Sequence, residues 1–256
     1  MRMRIADVGE EYNRFFSLAY DIGEYTLDNA IMNDQGMFTT TQDHYPMEPY
    51  VNANDENYEG MLQFAFWTPF VFGDVKGVRT AIAETRPLQH MFGSVHDLFA
   101  DIHGDAVILE LIDEEVVLTD IDGPYIVLTN FAINQLREVE PRMAKGYGQD
   151  RYTTAQQMIV ENFDTFDVDK GFEVLKATKQ SKYAYYPTRY SVVHDPLSLT
   201  SYFVLLQNFE QVWQVTLEDG MLRTYKGFAT PLEMPLTDEG VPIEILIAHE
   251  EANVVK

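Results

Sequence analysis

The sequence has no cysteine among its 256 residues, and this absence excludes several kinds of site. Without thiols the chain forms no disulfide, no thiolate zinc site and no iron–sulfur cluster, and it has no cysteine nucleophile. Because the chain has no cysteine, its cysteine usage does not indicate a redox compartment.

Basic residues are scarce as well: 18 lysines and arginines stand against 41 aspartates and glutamates, a net charge of −23. A surface this negative repels phosphate backbones and anionic lipid headgroups, so we expect no nucleic-acid partner and no membrane partner. The chain has no apolar run long enough for a membrane-spanning helix, and its basic start is not followed by the apolar stretch of a signal peptide. We therefore expect a cytoplasmic protein.

The rest of the composition is that of a globular protein, with 46% hydrophobic residues. The length fits one larger domain or two small ones. No repeat or low-complexity segment divides the chain, and we treat residues 1–256 as a single domain.

Short apolar runs separated by turn residues predict many strands and a few helices. The predicted strands are residues 15–20, 25–32, 37–42, 95–102, 106–112, 116–121, 125–129, 190–194, 201–206 and 212–217. A buried helix is predicted over residues 58–72, kinked or ended by Pro69, and three more helices are predicted to be capped by Asp74, Asp150 and Asp167. A further apolar run covers residues 243–248. This order predicts an α+β domain of antiparallel sheets sandwiched by helices.

Two groups of residues have the chemistry of known sites but not their spacing. His96, Asp97, Asp101 and His103 are types that bind metals, yet they match no known metal motif, and a solvated hairpin strand explains them better. We expect no metal and no cofactor.

Ser191, His194 and Asp195 have the residue types of a catalytic triad, but they share one short strand and its end. A triad needs side chains that converge from separate elements. The carboxylate pairs Glu114–Glu115 and Glu250–Glu251 are interpreted as solvated turn and tail residues.

Three features around residues 130–151 allow either a structural or a binding role. Gly146-Tyr147-Gly148 precedes a helix and could cradle an anion, although a flexible connection explains it as well. Asn130 follows a buried strand, where its amide could donate a hydrogen bond into a cleft. Arg151 lies in the first turn of a helix, where its charge opposes the helix dipole. This mismatch points to a partner elsewhere, such as a carboxylate.

Several segments, in order and at similar spacing, resemble the choloylglycine hydrolase and linear amide C–N hydrolase group. The matching segments are residues 31–37 (IMNDQGM), 98–101 (LFAD) with 106–110 (AVILE), 127–130 (VLTN), 150–152 (DRY) and 190–193 (YSVV). Members of this group are N-terminal-nucleophile amidases. The resemblance, which covers roughly residues 25–217, implies a four-layer αββα sandwich of antiparallel sheets.

The resemblance also assigns roles to three residues. Asn33 and Asn130 fall on the family's cleft asparagines, so Asn130 would be the oxyanion donor and Asn33 would help to position the attacked carbonyl. Arg151 falls on the family's active-site arginine, which holds other polar groups of the cleft in place.

The sequence departs from the family at the nucleophile. In the family a cysteine at the mature N-terminus attacks the amide carbonyl, its α-amino group serves as base, and an arginine and an aspartate follow on the next strand. None of these is found here, and the segment before Asn33 is expected to be too short for the nucleophile strand and its partner. We therefore expect a domain truncated at its N-terminus relative to the family, with the first strands missing and no amidase activity.

Three functions follow as alternatives. The chain is an inactive amidase-like domain, a binding module that keeps the acyl-amide cleft, or an assembly partner that pairs with a second copy through an exposed sheet edge. In the second case the aromatic residues of 58–72 would line an apolar pocket. The expected ligand is a small acyl amide or a bile-salt-type molecule.

Overall fold

The computed structural model describes residues 1–22, 25–43, 64–84, 95–112, 115–133, 143 and 145–254. Within them the chain forms two antiparallel sheets and five α-helices. The first sheet, sheet A, has the strand order β13-β1-β2-β3-β4-β5-β6-β7, and the second, sheet B, has the order β12-β11-β10-β9-β8. The strands are β1 (Arg2–Ala6), β2 (Phe15–Ile22), β3 (Tyr25–Asn33), β4 (Phe38–Asp43), β5 (Val95–Ala100), β6 (Ala106–Ile112), β7 (Glu115–Asp120), β8 (Tyr190–Asp195), β9 (Thr200–Leu205), β10 (Val212–Thr216), β11 (Met221–Lys226), β12 (Glu233–Pro235) and β13 (Val241–Pro242). The helices are α1 (Phe64–Val71), α2 (Val75–Glu84), α3 (Gln149–Glu161), α4 (Val168–Thr178) and α5 (Ile243–Ala252), with a short 3₁₀ helix at Phe163–Thr165.

The two sheets pack face to face, and helices cover their outer faces. Phe16 of sheet A stacks on Phe203 of sheet B with 6.1 Å between ring centroids, and Phe203 stacks on Trp213 at 6.4 Å. The outer face of sheet A is covered by α1 and α2, and that of sheet B by α4. These layers confirm the predicted α+β sandwich of antiparallel sheets.

Most predicted strands are found within two residues of their predicted bounds, because alternating or continuous apolar runs do become buried sheet strands here. Two predicted helix caps are also confirmed. The Gly77 N–H donates to Asp74 Oδ1 at 2.8 Å, and the Lys170 N–H donates to Asp167 Oδ1 at 2.9 Å. The apolar run at the C-terminal end becomes the helix α5.

Two predictions in the middle of the chain are wrong. Residues 125–129 form no strand: Val127 and Phe131 pack against Tyr152 and Ala155 of α3, so apolar character there indicates burial but not strand pairing. Asp150 does not cap α3, because Gly148 in the left-handed conformation occupies the cap position and Asp150 lies within the first turn.

The segment before Asn33 holds a strand and its partner, contrary to the prediction that it is too short. β1 pairs with β2 along its full length, and Met3 and Ile5 enter the core between the sheets. Arg2 and Arg4 point to the opposite face, where carboxylates neutralise them. The alternation of arginine with apolar residues is a strand signal that the charges obscured.

The second strand also carries an aspartate, which the sequence was expected to lack at this place. Asp21 near the end of β2 forms an ion pair with Arg2 of β1, with 3.0 Å between Arg2 Nη2 and Asp21 Oδ1. The outer edge of β1 is covered rather than open, since it pairs with β13 and the Ile5 N–H donates to the Thr237 carbonyl at 3.2 Å. Association through an exposed edge therefore needs another strand than β1.

The aromatic segment predicted as a helix over 58–72 is described only from residue 64 onward. Helix α1 contains Pro69 and ends two residues later, as expected of a proline in a helix. Phe70 packs edge-to-face on Phe15 with 4.3 Å between ring centroids, on the outer side of sheet A. In the part of the chain that the structure describes, no helix is both long and apolar enough to cross a membrane.

Candidate functional site

A cleft of about 700 Å³ opens where the segment 126–130, the helices α3 and α4 and the residues 178–192 meet the inner side of β3 and β4. Its apolar wall includes Phe38, Ala155, Ile159, Val174 and Leu175. Its volume is that of a small-molecule site, which ordinarily combines apolar walls with a few polar groups. We call this hollow the cleft.

Asn130 and Arg151, which the sequence places on separate elements, meet at the cleft. Arg151 Nη2 donates to Asn130 Oδ1 at 2.7 Å, and Asn130 Nδ2 donates to the backbone carbonyl of Asp43 at the end of β4 at 2.6 Å. Arg151 thus has the partner that its place at the helix start predicted, although the partner is an amide and not a carboxylate. An asparagine Nδ2 carries two hydrogens, and the second N–H of Asn130 has no acceptor among the described residues.

Gly148 makes room for this contact. Its φ is +86°, and a Cβ at this position would lie 2.8 Å from Arg151 Nη2. Gly148 therefore serves the approach of the arginine, whereas a Cβ at Gly146 would lie 2.7 Å from Phe131 Cβ. Neither the anion-cradle nor the flexible-connection interpretation contained these packing roles.

We expect Gly148→Ala to disturb the Arg151–Asn130 contact, because the added methyl group occupies the space of the guanidinium. The left-handed backbone alone costs an alanine about 1–2 kcal/mol. Gly104→Ala is the matched control, since Gly104 has a φ of +79° and no heavy atom lies within 4 Å of the place that its methyl would take. Both variants should lose similar stability in chemical denaturation, but only Gly148→Ala should shift the NMR signal of the Asn130 side-chain amide. Equal shifts in both would contradict the steric role of Gly148.

Three cations line the cleft of this acidic chain. They are Arg151, Lys179 and Arg189, against one carboxylate residue, Asp43, among the described lining residues. In the described structure none of the three cations forms an ion pair, whereas surface arginines such as Arg79 and Arg223 are paired with aspartates. A cleft lined by one sign of charge attracts ligands of the opposite sign.

Aromatic and imidazole groups form the opposite side of the cleft. The rings of Tyr190 and Tyr20 lie 6.4 Å apart between centroids, and burial raises the pKa of both phenols. Burial beside Phe16 and Phe38 lowers the pKa of His194 to about 4, so its ring is neutral at pH 7. None of these groups is therefore charged under ordinary conditions.

Asn33 lies away from Asn130 and Arg151 and is not among the residues that line the cleft. Its Nδ2 donates to the carbonyls of Pro69 and Phe72 at 3.0 and 2.8 Å, and its Oδ1 accepts from the N–H groups of Gln35 and Met37. These four bonds use the whole amide. In this structure Asn33 therefore holds the β3–β4 turn against helix α1.

The triad and metal residue types do not converge. His194 Nδ1 is 2.8 Å from Ser201 Oγ, but Ser201 is fully buried, while Asp195 accepts from the Ser198 hydroxyl at 2.6 Å within its own turn. Among the described residues no group of three or more histidines and carboxylates is arranged to hold a metal.

The paired carboxylates have separate surroundings. Glu250 is buried and accepts from Trp213 Nε1 at 2.7 Å, and this burial raises its pKa, whereas Glu251 is exposed. Glu114 lies outside the described residues.

Comparison with known proteins shows the fold. No family model matches the sequence, and no curated protein does. Among solved structures, two variants of the conjugated bile acid hydrolase from Clostridium perfringens match with TM-scores of 0.51 and 0.53 at 15% and 14% identity, each covering 87% of this chain and 77% of that chain. Penicillin V acylase from Agrobacterium tumefaciens matches with a TM-score of 0.56 at 13% identity, covering 88% of this chain and 90% of that chain. The chain therefore has an N-terminal-nucleophile hydrolase-like fold, and identities this low show the fold alone.

Sequence reasoning missed Lys179, Arg189 and the two tyrosines of the cleft. A signal was present: four of the 18 basic residues fall between positions 176 and 189, with no acidic residue among them. In a chain of net charge −23 such a cluster marks a local exception. What the sequence did not show is that this segment borders the same hollow as Asn130.

Proposed function

We propose that this chain binds a negatively charged acyl amide in the cleft and does not cleave it. One observation carries the proposal. Arg151 and Asp43 fix the Asn130 amide, and among the described residues its second N–H has no acceptor and the three cations of the cleft have no ion-pair partner. Thr129 also lines the cleft, and its buried hydroxyl has no hydrogen-bond partner among the described residues. A buried polar group without a partner is costly, and a bound polar ligand or water removes that cost.

The polar and apolar parts of the cleft suit the two parts of such a ligand. The free N–H of Asn130 suits an amide carbonyl, and Lys179 and Arg189 suit a carboxylate or sulfonate. The walls formed by α3 and α4 suit an apolar acyl group. The solved structures of similar fold are enzymes named for a conjugated bile acid and a penicillin, which supports an acyl amide as the ligand class.

The absence of turnover rests on the missing nucleophile. Amide cleavage by a thiol needs a cysteine, and none occurs in the 256 residues. The Ser201 hydroxyl, which has a neutral histidine beside it, is fully buried and does not line the cleft. Met1, which packs against the core between the sheets, offers only a thioether.

Binding is tested by calorimetry and thermal shift with N-acyl glycines and conjugated bile acids, each compared with its neutral glycinamide or ester analogue. A ligand at 100 times its Kd should stabilise the fold by about 2.7 kcal/mol, which corresponds to roughly 5–10 °C in a domain of this size. Asn130→Ala should weaken binding by about tenfold, the expected loss for one hydrogen bond. Amine release should stay at background.

The charged residues have a matched control. Lys179→Gln and Arg189→Gln should weaken the binding of the charged probes and leave the binding of the neutral analogues unchanged. Lys226→Gln, which removes a lysine that is paired with Asp169 at 2.8 Å and does not line the cleft, should change neither. No shift with any probe contradicts the binding proposal, and amine release that Asn130→Ala abolishes contradicts inactivity.

A further inference from the structure

His96 and Glu110 form a fully buried pair beneath the segment that carries Asn130. The two residues face each other across β5 and β6, with 3.2 Å between His96 Nδ1 and Glu110 Oε1, and neither side chain is exposed. A buried donor or acceptor that loses its partner costs about 1–3 kcal/mol, so each group holds the other in place. The role of the pair follows from what else its two members bind.

Each partner also binds the backbone of that segment. His96 Nε2 lies 2.7 Å from the Thr129 carbonyl, and Glu110 Oε1 accepts from the Ile133 N–H at 2.7 Å. A carbonyl oxygen only accepts, so Nε2 carries the proton in this contact. The pair therefore fixes the backbone on both sides of Asn130, at one residue before it and three residues after it.

Among the described residues, no strand or helix includes this segment. Residues 125–129 form no strand, so no sheet ladder holds them. The direction of the Asn130 side chain then depends on the backbone bonds to His96 and Glu110 together with its own bonds to Asp43 and Arg151.

We propose that His96 and Glu110 are positioning residues that aim the Asn130 amide into the cleft. The inference deepens the proposed function, and its relevance to ligand binding rests on that function. The geometric part, that the pair sets the orientation of Asn130, stands on the contacts alone.

Two substitutions at one position separate the two contacts of His96. A glutamine amide reaches about as far as Nε2, so His96→Gln keeps a donor for the Thr129 carbonyl and gives up the contact with Glu110. An asparagine amide reaches about as far as Nδ1, so His96→Asn keeps the contact with Glu110 and gives up Thr129. We expect His96→Asn to move the side-chain amide signal of Asn130 in an NMR spectrum, and His96→Gln to move it much less.

The same variants are measured for affinity toward the charged N-acyl glycine probe. His96→Asn should weaken binding by about tenfold, as expected for a misplaced hydrogen-bond donor. In the Asn130→Ala background the same substitution should have no further effect, because the group that it positions is already gone. A merely structural role would instead give additive losses.

The outcomes distinguish the two proposals. If His96→Asn and His96→Gln give the same NMR position for the side-chain amide of Asn130, the positioning role is overturned. If the signal moves but the unsubstituted protein binds no probe, the positioning role stands and the proposed function fails. Should His96→Asn not fold, Glu110→Met, which keeps most of the volume and removes the acceptor Oε1, takes its place: a moved Asn130 signal supports the role and an unmoved one overturns it.

Discussion

Asp28→Ala is expected to lower the free energy of unfolding by about 3 kcal/mol, the cost of leaving a buried charge without its partner. Arg4 of β1 reaches across β2 to Asp28 of β3 with two hydrogen bonds, Nε to Oδ1 at 2.9 Å and Nη2 to Oδ2 at 2.6 Å. Both side chains are nearly buried, 12% and 7% exposed. The pair therefore ties the first strand into sheet A, and urea denaturation measures its loss.

The same arginine supplies the control for this prediction. Arg4 Nη1 also pairs with Asp238 at 2.9 Å, but the Asp238 side chain is 57% exposed. Exposed pairs contribute about 0–1 kcal/mol, so Asp238→Ala should change stability by less than about 1 kcal/mol. Equal losses in the two variants would show that burial of the Arg4–Asp28 pair has no special weight.

A double variant tests whether the loss of stability in Asp28→Ala comes from the unpaired charge or from lost packing. Arg4→Met with Asp28→Leu removes both charges and keeps most of the volume, and such replacements are often neutral. Ser17 Oγ, which donates to Asp28 Oδ1 at 2.5 Å, would then lose its acceptor, at a cost of about 1–3 kcal/mol. The double variant should therefore be no less stable than Asp28→Ala alone.

The second large effect concerns the pH dependence of stability through His194. Its pKa is about 4 in the folded protein against 6.5 as the ordinary value, because burial disfavours the charged ring. Between these two values the unfolded chain binds more protons than the folded one, so stability falls as the pH falls from 6.5 to 4. At about 1.4 kcal/mol per pH unit the loss reaches roughly 3 kcal/mol, and it is complete below the folded pKa.

His194→Asn isolates this effect from the many carboxylates of the chain. The asparagine amide lies near the place of Nδ1 and keeps the hydrogen bond to Ser201, but it does not titrate. The free energy of unfolding, measured at pH 6.5 and at pH 4, should fall less in this variant than in the unsubstituted protein. His103→Asn, which changes an exposed histidine, should leave the difference as it is. An unchanged difference in His194→Asn would show that folding does not lower the pKa of His194.

The buried Glu250 acts in the opposite direction and makes the comparison between variants necessary. Burial raises its pKa, so its contribution to stability is present below the ordinary glutamate value and is lost as the pH rises through the raised one. Over the acid range the two groups partly offset each other. Only the difference between a variant and the unsubstituted protein assigns the slope to His194.

The cleft shows how much of a binding site a sequence pattern can predict. The segments around Asn130 and Arg151 pointed to a shared cleft, and the structure joins the two side chains at 2.7 Å. The same resemblance placed Asn33 beside them, but the Asn33 amide is used entirely by the turn and helix around it. Asparagine suits both a turn and a cleft, so the residue type alone does not decide between the two roles.

The sequence by itself determined the composition of the sandwich: which runs become buried strands, where Asp74 and Asp167 start helices, and that no thiol is available for chemistry. These features depend on residues close together in the chain, so local patterns contain them. The tertiary structure alone decided that Arg2 and Arg4 meet carboxylates, that the Thr129 carbonyl meets His96 where a strand was predicted, and that Lys179 and Arg189 border the hollow of Asn130. Each of these depends on partners far along the chain, such as Asp28 for Arg4 and Thr129 for His96, which are brought together by strand pairing within sheet A and by the packing of residues 125–129 beside it.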